Sequence, residues 1–121
     1  MNVLVEIDSA LSALVKELYS DVPISNWRSQ RLTASYTPTG NVGGHEYLYV
    51  AADNVEHHDV SPGGQARSTV RELTRRHWQL TQDLGQPRWY KMIVTVERSG
   101  KFSVDFEYKD DYQEGDIMKR G

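Results

Sequence analysis

Asp105 and Glu107 stand two residues apart in the run WYKMIVTVERSGKFSVDFEYKDD, which extends from Trp89 to Asp111. Alternate side chains of an extended chain share a face, so the two carboxylates lie on one side, about 7 Å apart. That separation suits an inverting glycosidase, which needs room for a water between its acid and its base. A general acid also needs burial to raise its pKa, and an opposing lysine lowers it instead. The run offers no cleft and carries a lysine opposite Glu107, so general acid–base catalysis is disfavoured. A docking surface or a plain solvated face remains.

The other reactive residue types are scattered. His57 and His58 are adjacent and point apart in an extended loop; with Asp59 they could contribute to a metal site only through a distant partner. His45 and His77 lie far from them, and no H-x-x-x-H or H-E-x-x-H spacing occurs. There is no cysteine and no G-x-S-x-G elbow. The glycines of GNVGGHE lack the G-K-[ST] ending of a phosphate loop and fall between two strand-like runs. No enzyme, metal or cofactor is expected. Arg67, Arg71, Arg75 and Arg76 form a basic ridge, interrupted by Glu72. A solvated helix face explains it, and a docking face for RNA or protein is the alternative.

These residues must be positioned by six elements. Leu4, Ile7, Leu11, Leu14 and Leu18 recur at three and four, which predicts a helix over 3–19 ended by Pro23. Leu32, Ala34 and Tyr36 alternate with Arg31, Thr33 and Ser35, which predicts a half-buried strand over 27–37. A second strand is expected over 45–52, and the polar, glycine-rich stretch 53–65 reads as a loop. Ala66, Val70, Leu73, His77, Leu80 and Leu84 form the apolar stripe of a second helix, stopped by Gly85 and Pro87. His77 reads as a half-buried histidine with its polar needs met. Trp78 lies about 140° from Leu73 around the helix, either covering the sheet edge or standing as an exposed anchor. The expectation is one α+β domain over 1–121, in the order α-β-β-α-β-β. Four antiparallel strands form its sheet, with both helices on one face.

The final hairpin can be registered from its apolar faces. A loop of Arg98, Ser99 and Gly100, with Gly100 left-handed, sets Val96 against Phe102, Val94 against Val104, Met92 against Phe106 and Tyr90 against Tyr108. Glu97 then opposes Lys101, and Lys91 opposes Glu107, as opposite-charge pairs. A one-residue slip would turn the whole apolar set outward. In this register Trp89, Asp105 and Glu107 share the outer face.

The chain has 121 residues and a net charge of −3, enough for one core and weakly unfavourable for bulk nucleic-acid binding. The absence of cysteine excludes a disulfide scaffold and thiolate chemistry. No apolar run reaches membrane-spanning length, and the N-terminus lacks the basic start of a signal peptide. A cytoplasmic location is therefore expected.

The 89–111 run resembles the hallmark of the YezG-like immunity proteins, small bacterial antitoxins. The matching positions are Trp89, Lys91, Gly100, Lys101, Phe102, Asp105, Phe106, Tyr108, Asp110 and Asp111. The resemblance covers roughly 66–112; the C-terminal YQEGDIMKRG is short and lacks the Trp- or Phe-containing segment usual in the family. It implies a non-enzyme that binds the C-terminal toxin domain of a polymorphic or contact-dependent system, often a nuclease, in the producing cell. An acidic surface suits a nuclease whose site is basic to hold phosphate. The expected docking surface is Asp105, Glu107, Asp110, Asp111 and Glu114, with Tyr112 and Trp89 as aromatic anchors.

Overall fold

A computed structural model describes residues 3–37, 43–58, 60–83 and 89–108. Within them the order is α1 (Val3–Ser20), β1 (Trp27–Tyr36), β2 (Gly43–Ala51), β3 (Glu56–His57), α2 (Gly64–Asp83), β4 (Trp89–Glu97) and β5 (Phe102–Tyr108). The described strands form one antiparallel sheet, ordered β3-β2-β1-β4-β5. The α+β class, two helices and antiparallel pairing agree with the expectation, but the sheet has five strands rather than four.

The fifth strand comes from a turn hidden in the supposed loop. Asn54 N–H donates to Ala51 O and Ala51 N–H to Val55 O, with Asn54 at φ 67°. The β4–β5 turn repeats this pattern: Gly100 N–H donates to Glu97 O, Glu97 N–H to Lys101 O, and Gly100 has φ 97°. Both are type I turns closed by a left-handed residue, glycine in one and asparagine in the other. Asp53 Oδ1 accepts from Val55 N–H at 3.1 Å and steadies the first.

One core cluster joins the helices to the sheet. Leu14 and Leu18 of α1 and Val70 and Trp78 of α2 meet Leu32, Ala34, Tyr36, Met92, Val94 and Val96. The strand residues are the alternate positions of β1 and β4, so the helices cover that face. The C-terminal carbonyl of Leu18 accepts from Gln30 Nε2 at 2.8 Å, which meets a need that the helix cannot meet itself. The β4–β5 turn is tied back as well: Arg98 donates to Ser25 O and Trp27 O and lies over the Trp27 ring.

The β4–β5 register holds at Val96–Phe102, Val94–Val104, Met92–Phe106 and Lys91–Glu107 and then breaks. A bulge between Trp89 and Lys91 sets Trp89, not Tyr90, against Tyr108. One inserted residue reverses the alternation. Trp89 therefore turns inward and is 1% exposed. Its expected place on the outer face is corrected by the bulge.

Candidate functional site

The three described members of the expected docking surface separate. Trp89 is a core residue: its Nε1 donates to His77 Nδ1 at 3.3 Å, and its ring packs on Tyr36 and Phe106. Asp105 and Glu107 are exposed on β5, on the face opposite the helices. Glu107 accepts from Tyr90 OH at 2.9 Å and pairs with Lys91 Nζ at 3.6 Å. Asp105 has no ion pair among the described residues. Asp110, Asp111, Tyr112 and Glu114 lie outside the described residues.

The pairing places Asp105 in a row with Ile93, Thr33 and Glu46 across the outer face, and Glu107 in a row with Lys91 and Ser35. Thr33 and Ser35 at the centre of these rows are buried, whereas Asp105 and Glu107 at the β5 edge are exposed. The apolar side of β5 is incompletely covered as well, with Phe102 50% and Tyr108 57% exposed. β5 is an edge strand, and its ends reach past the core cluster. It thus presents aromatic surface on one side, carboxylates on the other, and backbone that no described strand pairs.

Trp78 is not an exposed anchor. It is buried, and its indole N–H donates to Trp89 O at 3.0 Å. The bulge lies next to this carbonyl, and the indole ties the bulged strand end to α2. α2 packs against α1 as well as the sheet side, so its buried arc is wider than one stripe and takes in Thr74 and Trp78. His77 is buried with its Nδ1 satisfied and its ring stacked on Phe106. Burial holds its pKa below the usual histidine value.

A polar constellation that sequence reading did not assemble lies at the other end of the sheet. Tyr36 OH, His45 Nε2 and Thr74 Oγ1 form a triangle of 2.8–3.2 Å contacts, and Thr74 donates onward to Arg71 O. Burial, with Arg71 and Arg75 nearby, lowers the His45 pKa to about 4. Arg75 lies over the Tyr36 ring at 5.0 Å. Between α2 and β2 is a cleft of about 430 Å³ lined by His45, Tyr47, His58, Ser61, Arg67 and Arg71, with Glu46 at its wall. A second hollow, lined by Tyr36, Gly43, Gly44 and Arg75, shares His45 and Arg71 with it. The Tyr47 hydroxyl is buried with no hydrogen-bond partner among the described residues.

The arginine ridge therefore borders a cleft. Arg67 and Arg71 have no carboxylate partner among the described residues, whereas Arg76 pairs with Glu6 at 3.5 Å. Like charges four apart on a helix cost ~0.2–0.5 kcal/mol per pair, so the Arg67–Arg71–Arg75 row is a mild liability to α2. The β1–β2 register, which the sequence reading did not set, brings His45 and Tyr47 onto the same face as Ala34 and Leu32. Polar groups on a face covered by an arginine-bearing helix mark more than packing.

Among the described residues no group of three His, Cys, Asp or Glu could hold a metal ion, and no helix is long and apolar enough to cross a membrane. Comparison with protein-family models returns no match, and neither does comparison with curated proteins.

Proposed function

We propose that the protein is a non-catalytic inhibitor that binds and neutralises a toxic protein domain, as the YezG-like resemblance implies, and that β5 is its docking strand. The exposure of β5 carries this reading. A strand with two half-exposed aromatic rings on one side and carboxylates on the other is poorly suited to water alone. A partner would cover Phe102 and Tyr108 as anchors and take main-chain hydrogen bonds along the edge. A nuclease domain, basic where it holds phosphate, would meet Asp105 and Glu107 with complementary charge.

The test begins with affinity capture from the producing cell. The expected partner is a polypeptide recovered in near-equal amount, lethal when expressed alone and harmless when co-expressed with this protein. Paired Asp105→Lys and Glu107→Lys substitutions should weaken binding by about tenfold or more at low salt, chiefly through the association rate. If no captured polypeptide is toxic, the inhibitor reading fails. If one is toxic but charge reversal leaves its binding unchanged, the inhibitor reading stands and β5 is the wrong surface.

A further inference from the structure

The cleft between α2 and β2 needs a separate explanation, because it lies at the opposite side of the sheet from β5. β1 and β4 stand between β2 and β5. At ~4.8 Å per strand the two sites are roughly 14 Å apart along the sheet. We propose that this cleft is a binding site for a phosphate-type oxyanion carried by a small, nucleotide-sized ligand.

Four observations point there. Arg67 and Arg71 are one helical turn apart on the wall of the same cleft and have no carboxylate partner among the described residues. Guanidinium groups in that arrangement offer several donors to one oxyanion. The Tyr47 phenol lines the same cleft in the field of both arginines, and its hydroxyl, like that of Tyr49, is buried with no hydrogen-bond partner among the described residues. A small rotation of the ring that opened this hydroxyl to the cleft would let a ligand oxygen meet a need that is costly to leave unmade.

The cleft floor is also held in place. His45 is locked through Nε2 to Tyr36 and Thr74, and Thr74 is anchored on the backbone of Arg71 itself. The histidine and the arginine-bearing turn of α2 are thereby joined across the cleft before any ligand arrives, which lowers the ordering cost of binding. Finally, about 430 Å³ is more than an inorganic phosphate needs and falls within the range of small-molecule sites. The acidic residues nearby are Glu46, which borders the cleft from a strand position that belongs to the outer face, and Glu56, which is paired with His58 at 2.9 Å.

The experiment titrates the full chain with inorganic phosphate, adenosine monophosphate and adenosine up to roughly 10 mM, the range of a weak single-site interaction. Binding is read by calorimetry and by the His45 ring resonances. Saturable binding of the phosphate-bearing probes is expected, weakened about tenfold by Arg71→Gln and by Arg67→Gln and unchanged by Arg76→Gln. All three positions are exposed, and matching melting curves would show that the variants fold. Tighter binding of the monophosphate than of phosphate assigns a nucleotide-like ligand. Equal binding assigns the phosphate group alone. Absence of saturable binding overturns the proposal, as does binding insensitive to both Arg67→Gln and Arg71→Gln. So does adenosine binding as well as its monophosphate. A single-stranded RNA that bound with steep salt dependence and lost affinity equally with Arg67, Arg71 and Arg76 variants would also overturn it, as a diffuse basic patch. Each result is independent of whether β5 binds a toxin.

Discussion

Gly43 shows how a single residue ties the sheet to the cleft. It pairs with Tyr36 across β1 and β2, and a Cβ built there would stand 2.7 Å from two carbons of the Tyr36 ring. The ring cannot swing aside, because it is 2% exposed and packed against Trp78 and Trp89. Its hydroxyl is also held by Thr74 at 2.9 Å. Gly43→Ala should therefore cost about 1–3 kcal/mol, the usual toll of overpacking a filled interior. The denaturant midpoint reads the loss, and a shift of the His45 ring resonances reports that the triangle has moved. A midpoint within error of the parent would mean that the strand end yields freely.

At the scale of elements, the bulge in β4 explains most of what sequence reading placed wrongly. Strict alternation carried from Met92 to Trp89 puts the indole outside, and nothing in the string WYKMIV marks the inserted residue. What marks it lies elsewhere in the chain, in Trp78 and His77 of α2, whose polar atoms meet the Trp89 carbonyl and indole. Contacts of that kind join residues of separate elements and are invisible to periodicity. The β3 strand was missed for a related reason. Asn54 plays the part that Gly100 plays in the other hairpin, but asparagine is a weaker signal and a two-residue strand has no alternation to read. The inner register of β4 and β5 was legible, because apolar side chains on one face tolerate no slip. The Tyr36–His45–Thr74 triangle was not, since its members come from three elements. The bulge contacts predict the effect of Trp78→Phe. This change removes the side-chain donor to the Trp89 carbonyl and opens a small cavity. Together these should cost about 2–4 kcal/mol in denaturant unfolding. A loss below ~0.5 kcal/mol would mean that water or relaxation serves the carbonyl equally well.

At the scale of the whole molecule, the two buried histidines couple stability to pH. His45 faces Tyr36 from β1 and Thr74, Arg71 and Arg75 from α2, and its folded pKa is about 4. His77 faces Trp89, Phe106 and, more distantly, Asp8, and burial lowers its pKa as well. Above the unfolded histidine value of ~6.5 both states are neutral at these positions, and neither residue penalises folding. As pH falls below that value, the unfolded chain takes up protons that the folded chain refuses, so stability declines. For His45 the decline runs from about pH 6.5 to about 4 and then levels off. Its full size is on the order of 3 kcal/mol, from ~1.4 kcal/mol per pH unit of separation. Unfolding free energies measured across this window should therefore fall more steeply in the parent than in His45→Gln, whose amide keeps hydrogen-bonding capacity without titrating. Parallel curves would place the acid sensitivity elsewhere. An oxyanion held by Arg67 and Arg71 would oppose the decline, because it adds negative charge beside a ring kept neutral chiefly by burial and secondarily by Arg71 and Arg75. Adding sulfate, an oxyanion that stays doubly charged across this range, should then restore more stability at pH 5 than at pH 8, and only while Arg71 is present.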